Sequence, residues 1–141
     1  MTRIRQTFVT ALSLIMLIGC VTNTDNAFTE NRSKWESHNI VNYSYHIENT
    51  GFLPRNSRVV VVRNNVVDSV FLFEDSLPVA DSLLSLYAKT IDGLFDEVNG
   101  NINSNAKTTV HYNTTYGYPE EVYRDYGEEG DGFIVSEFSA Q

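Results

Sequence analysis

Four carboxylates, three histidines and five crowded tyrosines are the groups in this sequence whose types and spacing could do chemistry. Asp125, Glu128, Glu129 and Asp131 fall within seven residues, interrupted by Gly127 and Gly130. Calcium takes oxygen ligands of this kind, but the spacing is not that of a calcium loop, and a solvated hairpin turn has the same composition. His38, His46 and His111 are too dispersed for a zinc site, and no H-E-x-x-H is present. No serine sits in a G-x-S-x-G elbow, and glycine loops that would cradle a phosphate are absent. No catalytic residue, metal ligand or cofactor is therefore expected. Tyr112, Tyr116, Tyr118, Tyr123 and Tyr126 are five of the eight tyrosines. Neighbouring residues of a strand face opposite sides, so these rings cannot all be core. Tyr116, Tyr118, Tyr123 and Tyr126 are the expected binding surface, of a kind that suits a peptide or a sugar. Tyr123 in particular should be exposed if Val122 is buried.

A single thiol stands apart from these. Arg3 and Arg5 precede an apolar run from Phe8 to Ile18, then Gly19 and Cys20. Basic, apolar and small residues in that order form an export signal. The run is about half the ~20 residues that a membrane-spanning helix needs, so it is expected to be removed. Leu17-Ile18-Gly19-Cys20 resembles a bacterial lipobox, in which cleavage falls before a diacylated cysteine. Cys20 is the only cysteine, which excludes an internal disulfide and a cysteine metal site. Two or three acyl chains, at ~0.8 kcal/mol per buried methylene, would hold the protein durably on a membrane. Val21 stands where an aspartate would be the usual signal for retention at the inner membrane, so the outer membrane, facing the periplasm, is the expected location.

Residues 20–141 are enough for one domain with one core. The export segment holds two of the ten basic residues and none of the eighteen acidic ones, leaving eight against eighteen, or −10. Such a charge speaks against nucleic acid and against an electrostatic grip on anionic lipid, and it favours solubility.

Residues 20–26 are polar and aperiodic, as a flexible tether would be. Ala27 to His38 is expected to be helical, with Phe28 and Trp35 on one face and Trp35 anchored in the core. Asn42 to Glu48 alternates as a half-buried strand, with Tyr43, Tyr45 and Ile47 on one side and Ser44, His46 and Glu48 on the other. Arg58 to Arg63 and Val66 to Phe73 are strands joined by Asn64-Asn65, a primed turn that sets Val62 against Val67 and Val59 against Val70. Apolar residues on both faces predict a strand pair that is central or covered twice. Glu74 to Lys89 could be a short helix around Leu83, Leu84, Leu86 and Tyr87, or a packed loop. Thr90 should cap a helix whose stripe is Ile91, Leu94, Phe95, Val98 and Ile102, ended by Gly100 and the asparagines around it. Lys107 to Tyr112, Tyr118 to Tyr126 and Gly132 to Phe138 are three further strands, with positive φ expected at Gly117 and Pro119 tolerated at a strand start. Helix and three strands, twice over, predicts an α+β fold: an antiparallel sheet of about six strands with two helices on one face.

Trp35, Asn42-Tyr43-Ser44-Tyr45, Thr90-Ile91-Asp92-Gly93-Leu94-Phe95, Tyr112, Tyr116-Gly117-Tyr118-Pro119 and Phe138 together resemble a bacterial lipoprotein family of unknown function (DUF6174-like). The resemblance covers most of residues 20–141 and implies export and lipidation. It brings no activity, cofactor or catalytic residue. Gly93 and Arg124 depart from the pattern, which usually has an acidic and an apolar residue there.

The expected function is that of a lipid-anchored envelope lipoprotein without catalysis. It would bind the membrane through lipid on Cys20 and an envelope protein or glycan through its domain, as a binding or structural module. The alternatives are a hydrolase that acts on envelope polymers through carboxylates and a calcium-binding module.

Overall fold

The computed structural model describes residues 23–51, 56–74, 76–84, 88–104 and 107–141. Residues 1–22, with the expected export segment and Cys20, and Leu86 and Tyr87 lie outside them. The elements run α1 (Asn23–Ser37), β1 (Tyr43–Gly51), β2 (Ser57–Arg63), β3 (Val66–Leu72), α2 (Ile91–Ile102), β4 (Lys107–Tyr112), β5 (Pro119–Asp125) and β6 (Gly130–Ala140). One six-stranded sheet has the order β3-β2-β1-β6-β5-β4, with every neighbouring pair antiparallel. This is the expected α+β fold. The two groups of three strands join where the last strand, β6, returns beside the first, β1.

Alternation decides which residues meet the helices. Tyr43, Tyr45 and Ile47 of β1 share the inner face with Val60 and Val62 of β2, Val70 of β3, Val122 of β5, and Phe133 and Val135 of β6. All of these are buried. Trp35 on α1 covers one end of this face, with its ring edge-on to Tyr43 (centroids 5.5 Å apart), Phe138 (5.8 Å) and Tyr118 (6.4 Å). Its indole Nε1 donates to Asp92 Oδ1 at 3.0 Å, so a buried polar tip is satisfied and the two helices are tied together.

α1 starts at Asn23, earlier than the apolar spacing suggests, so Asn23–Asn26 is helix rather than tether. A first helical turn needs no apolar partner. α2 follows its signals more closely. Thr90 Oγ1 accepts from Gly93 N at 3.1 Å, and Ile91 N, another orphan donor, reaches Tyr43 Oη at 2.8 Å. Ile91, Leu94, Phe95 and Val98 are buried, with Ile102 partly so. The helix continues through Gly100 to Ile102, because its apolar stripe is still packed there, and the Asn103 side chain closes it by donating to Asn99 O at 2.8 Å.

Asn64 and Asn65 take φ of 51° and 61°, the primed turn that their sequence predicts. Val62 does face Val67, but Val59 faces Phe71 and Val70 faces Val60. A bulge after that first pair leaves Asp68 without an opposite residue and shifts the rest of β3 by one position. This hairpin is not central, since β3 is a sheet edge, and among the described residues both helices pack on one face of the sheet. The edge is closed locally, because Leu72 N donates to Leu77 O and Val79 N donates to Val70 O, on either side of Pro78. A 3₁₀ turn at Asp81–Leu83 follows. At the far side of the sheet Gly117 has φ of +85°, and a Cβ there would lie 2.6 Å from Asn31 O of α1, so only glycine lets the β4–β5 loop approach the helix.

Candidate functional site

The face of the sheet away from the helices is open among the described residues. Val59, Val61 and Phe71 lie on it half-buried, and Ile134 and Tyr123 are exposed. Tyr123 is 44% exposed while Val122 is 1% exposed, as alternation requires. Its ring lies over Gly130 of β6, where any Cβ would collide with the ring. Gly130 thus makes a flat shelf on which a tyrosine can lie outward yet stay placed.

The other tyrosines divide by position. Tyr118 is only 3% exposed, wedged between Trp35 and Phe138 (4.9 Å), and cannot present a binding ring. It comes just before Pro119, and the chain there passes under α1. Tyr116 is half-buried against Phe138 (5.0 Å) and His38 (5.2 Å). Tyr112 stacks on Phe95. Tyr126 is 56% exposed, beyond the other end of β5. The expected ridge of Tyr116, Tyr118, Tyr123 and Tyr126 is therefore not one surface. Burial pushes the Tyr43, Tyr112 and Tyr118 hydroxyls up to about 12, and raises Tyr45 as well.

The acidic run also separates. Asp131 is buried and accepts from Arg124 Nε, while Arg124 Nη1 reaches Glu97 Oε1 at 2.7 Å and Lys89 Nζ reaches Glu97 Oε2 at 2.6 Å. Burial works against the Arg124 guanidinium, but Asp131 and Glu97 outweigh it and its pKa is raised. Asp125 Oδ1 accepts from Gly127 N at 2.8 Å within its own turn, and Glu128 and Glu129 are exposed. Among the described residues no three His, Cys, Asp or Glu side chains converge as a metal site would need. The ion network was legible in principle: if Val122 points inward, so does Arg124.

A further cluster has no local sequence signal. His46, on the open face, has Nε2 2.5 Å from Ser57 Oγ and Nδ1 3.0 Å from Ser136 Oγ, with the Phe73 ring against it at 4.5 Å. The three residues come from β1, β2 and β6, so only the register brings them together. Acyl transfer would also need N–H donors aimed at an oxyanion. β1, β2 and β6 are neighbours in the sheet, and the cluster links the three of them across their open face. His111 is exposed on β4.

A depression of about 190 Å³ is lined by Trp35, Glu36, Asn39, Ile40, Val41, Asn65 and Asp92. It is smaller than the roughly 300–1,000 Å³ usual for a ligand pocket. Its two carboxylates are already engaged, Asp92 with Trp35 and Glu36 with Arg32 Nε at 3.2 Å. No helix among the described residues is long and apolar enough to cross a membrane.

Neither a curated protein nor a solved structure matches this chain. Residues 27–131, from α1 to the start of β6, match the family of unknown function DUF6174, and the chain belongs to that family.

Proposed function

We propose that this protein is a lipid-anchored envelope lipoprotein whose domain binds a protein or glycan of the envelope without catalysis. Support for the anchor is in the sequence: an export segment, the run Leu17-Ile18-Gly19-Cys20, and no other cysteine. The outer membrane, facing the periplasm, fits Val21 after the cysteine. The observation that carries the binding role is the open sheet face, where Tyr123 lies outward on its glycine shelf beside exposed Ile134. A rigid aromatic on a flat face offers contact area with few rotatable bonds to order.

The anchor is tested by Cys20→Ser in the native host with a labelled fatty acid. The variant should take up no label and stay at precursor size. Normal labelling would end the lipoprotein reading.

A further inference from the structure

We infer that the β4 side of the domain lies against the bilayer, so that the sheet stands edge-on to the membrane. This rests on the lipoprotein reading above and adds an orientation to it. The first observation is how the helices run. Trp35, near the end of α1, bonds Asp92 in the first turn of α2; Arg32 reaches Asp96 at 3.0 Å; and Phe28, further back, meets Phe95 edge-on at 5.8 Å. The helices are antiparallel, so α1 begins on the side where α2 ends. That side is the β4 side, because Phe95 stacks on Tyr112 of β4, Asn31 and Lys34 of α1 press on the loop after β4, and α2 runs on directly into β4.

The second observation is covalent. Asn23 begins α1 and lies three residues after Cys20. Three residues reach at most about 10 Å. A lipid on Cys20 therefore holds the start of α1 within about two helical turns' length of the headgroups. The β3 edge is five strand spacings from β4, about 24 Å further across the sheet.

Charge agrees with this placement. From Val98 to Pro119 there is no acidic residue, and Lys107 supplies a positive charge. The exposed groups of this stretch include Asn99, Gly100, Asn103, Ser104, Lys107, Thr109 and His111. α2 and β4 thus bring no carboxylate from this stretch to a surface that anionic lipid would make repulsive to one, while Glu30 in the first half of α1 is an exposed carboxylate on the same side. Charge alone does not select this side, since Arg63 beside the β2–β3 turn is also exposed; the short link to Cys20 does. Standing edge-on leaves the open face uncovered by lipid, with Tyr123 one strand in from the β4 edge.

The test uses the processed lipoprotein in phosphatidylethanolamine and phosphatidylglycerol vesicles that carry a nickel-chelating lipid. With the Cys20 thiol blocked by lipid, one introduced cysteine can take a nitroxide. Gly100→Cys suits the near side, because a Cβ there meets nothing within 4 Å, and Val66→Cys suits the far side, being 65% exposed. Asn99→Cys is a second near-side position should Gly100→Cys fail to fold. Headgroup nickel should relax the near-side label several-fold more than the label at Val66. Equal relaxation, or the reverse, in protein that floats with the vesicles would overturn the orientation alone. Processed protein that fails to float would overturn the lipoprotein reading and the orientation with it.

Discussion

On one side of the sheet Trp35, Tyr43, Tyr118 and Phe138 interlock edge-on and tilted, sealed by two helices; on the other, Val59, Val61 and Phe71 lie half-covered and Tyr123 rests on Gly130. The same strands supply both faces, and tyrosine occurs on both. Alternation therefore sets only which way a ring points. What covers that face decides whether the ring carries stability or is free to meet something else.

The sharpest way to break this comparison is to cut an aromatic from each side. Phe95→Ala removes a fully buried ring that touches Phe28 and Tyr112, and it should cost about 3–5 kcal/mol. Phe71→Ala on the open face should cost much less, since its ring is already partly in water. Urea midpoints measure both. Equal shifts would mean that the open face is covered as well.

A smaller loss is expected where charge enters the covered side. Arg124→Ala leaves Asp131 and Glu97 buried or nearly so without their shared cation, at a cost of about 3 kcal/mol. Arg124→Met should recover part of it, because the methylene stem packs beside Val122 while the uncompensated carboxylates remain. A neutral Arg124→Ala would show that water reaches the pair.

The covered tyrosines should also report through pH. Tyr43, Tyr112 and Tyr118 titrate near 12 in the folded protein against about 10 when unfolded. A folded pKa above the unfolded one means that the stabilisation is complete below pH 10 and falls as pH rises toward 12. The loss should be about 1.4 kcal/mol by pH 11 for each of the buried Tyr43 and Tyr118, and less for Tyr112, which water partly screens. Stability that is flat from pH 9 to 11.5 would place these hydroxyls in water.

Much of this architecture could be read from local signals. The Thr90 cap, the Asn64-Asn65 turn, the stripe on α2 and the alternation of β1 each follow from a few adjacent residues. What could not be read depends on long-range register or on helix cover. The bulge at Asp68 moved Val70 from Val59 to Val60, and nothing near Asp68 announces it. Apolar residues on both faces of β2 and β3 imitate a central pair, although β3 is an edge sealed by the chain around Pro78. Four tyrosines close in sequence suggested one ridge, but Tyr118 turns under α1 and Tyr126 falls past the strand end. His46 with Ser57 and Ser136 joins three strands and leaves no trace in spacing.

The smallest expected change in stability belongs to Tyr123, and it bears most on the binding role. The ring is 44% exposed, so Tyr123→Ala gives up little buried area, mainly the contact with Gly130. The cost should be about 1 kcal/mol, within the range of a cross-strand pair. Tyr116→Ala is the instructive companion, because Tyr116 packs against Phe138, His38 and Tyr118 and should cost more. If Tyr123 marks the working surface, its alanine variant should stay folded and lose capture of an envelope protein or glycan, while Tyr116→Ala should lose stability first and capture only as far as it unfolds. Measuring capture and urea midpoints on the same preparations separates the two. Capture that follows stability alike in both variants would make Tyr123 a cover for Gly130, and the open face would then lose its claim to be the binding surface.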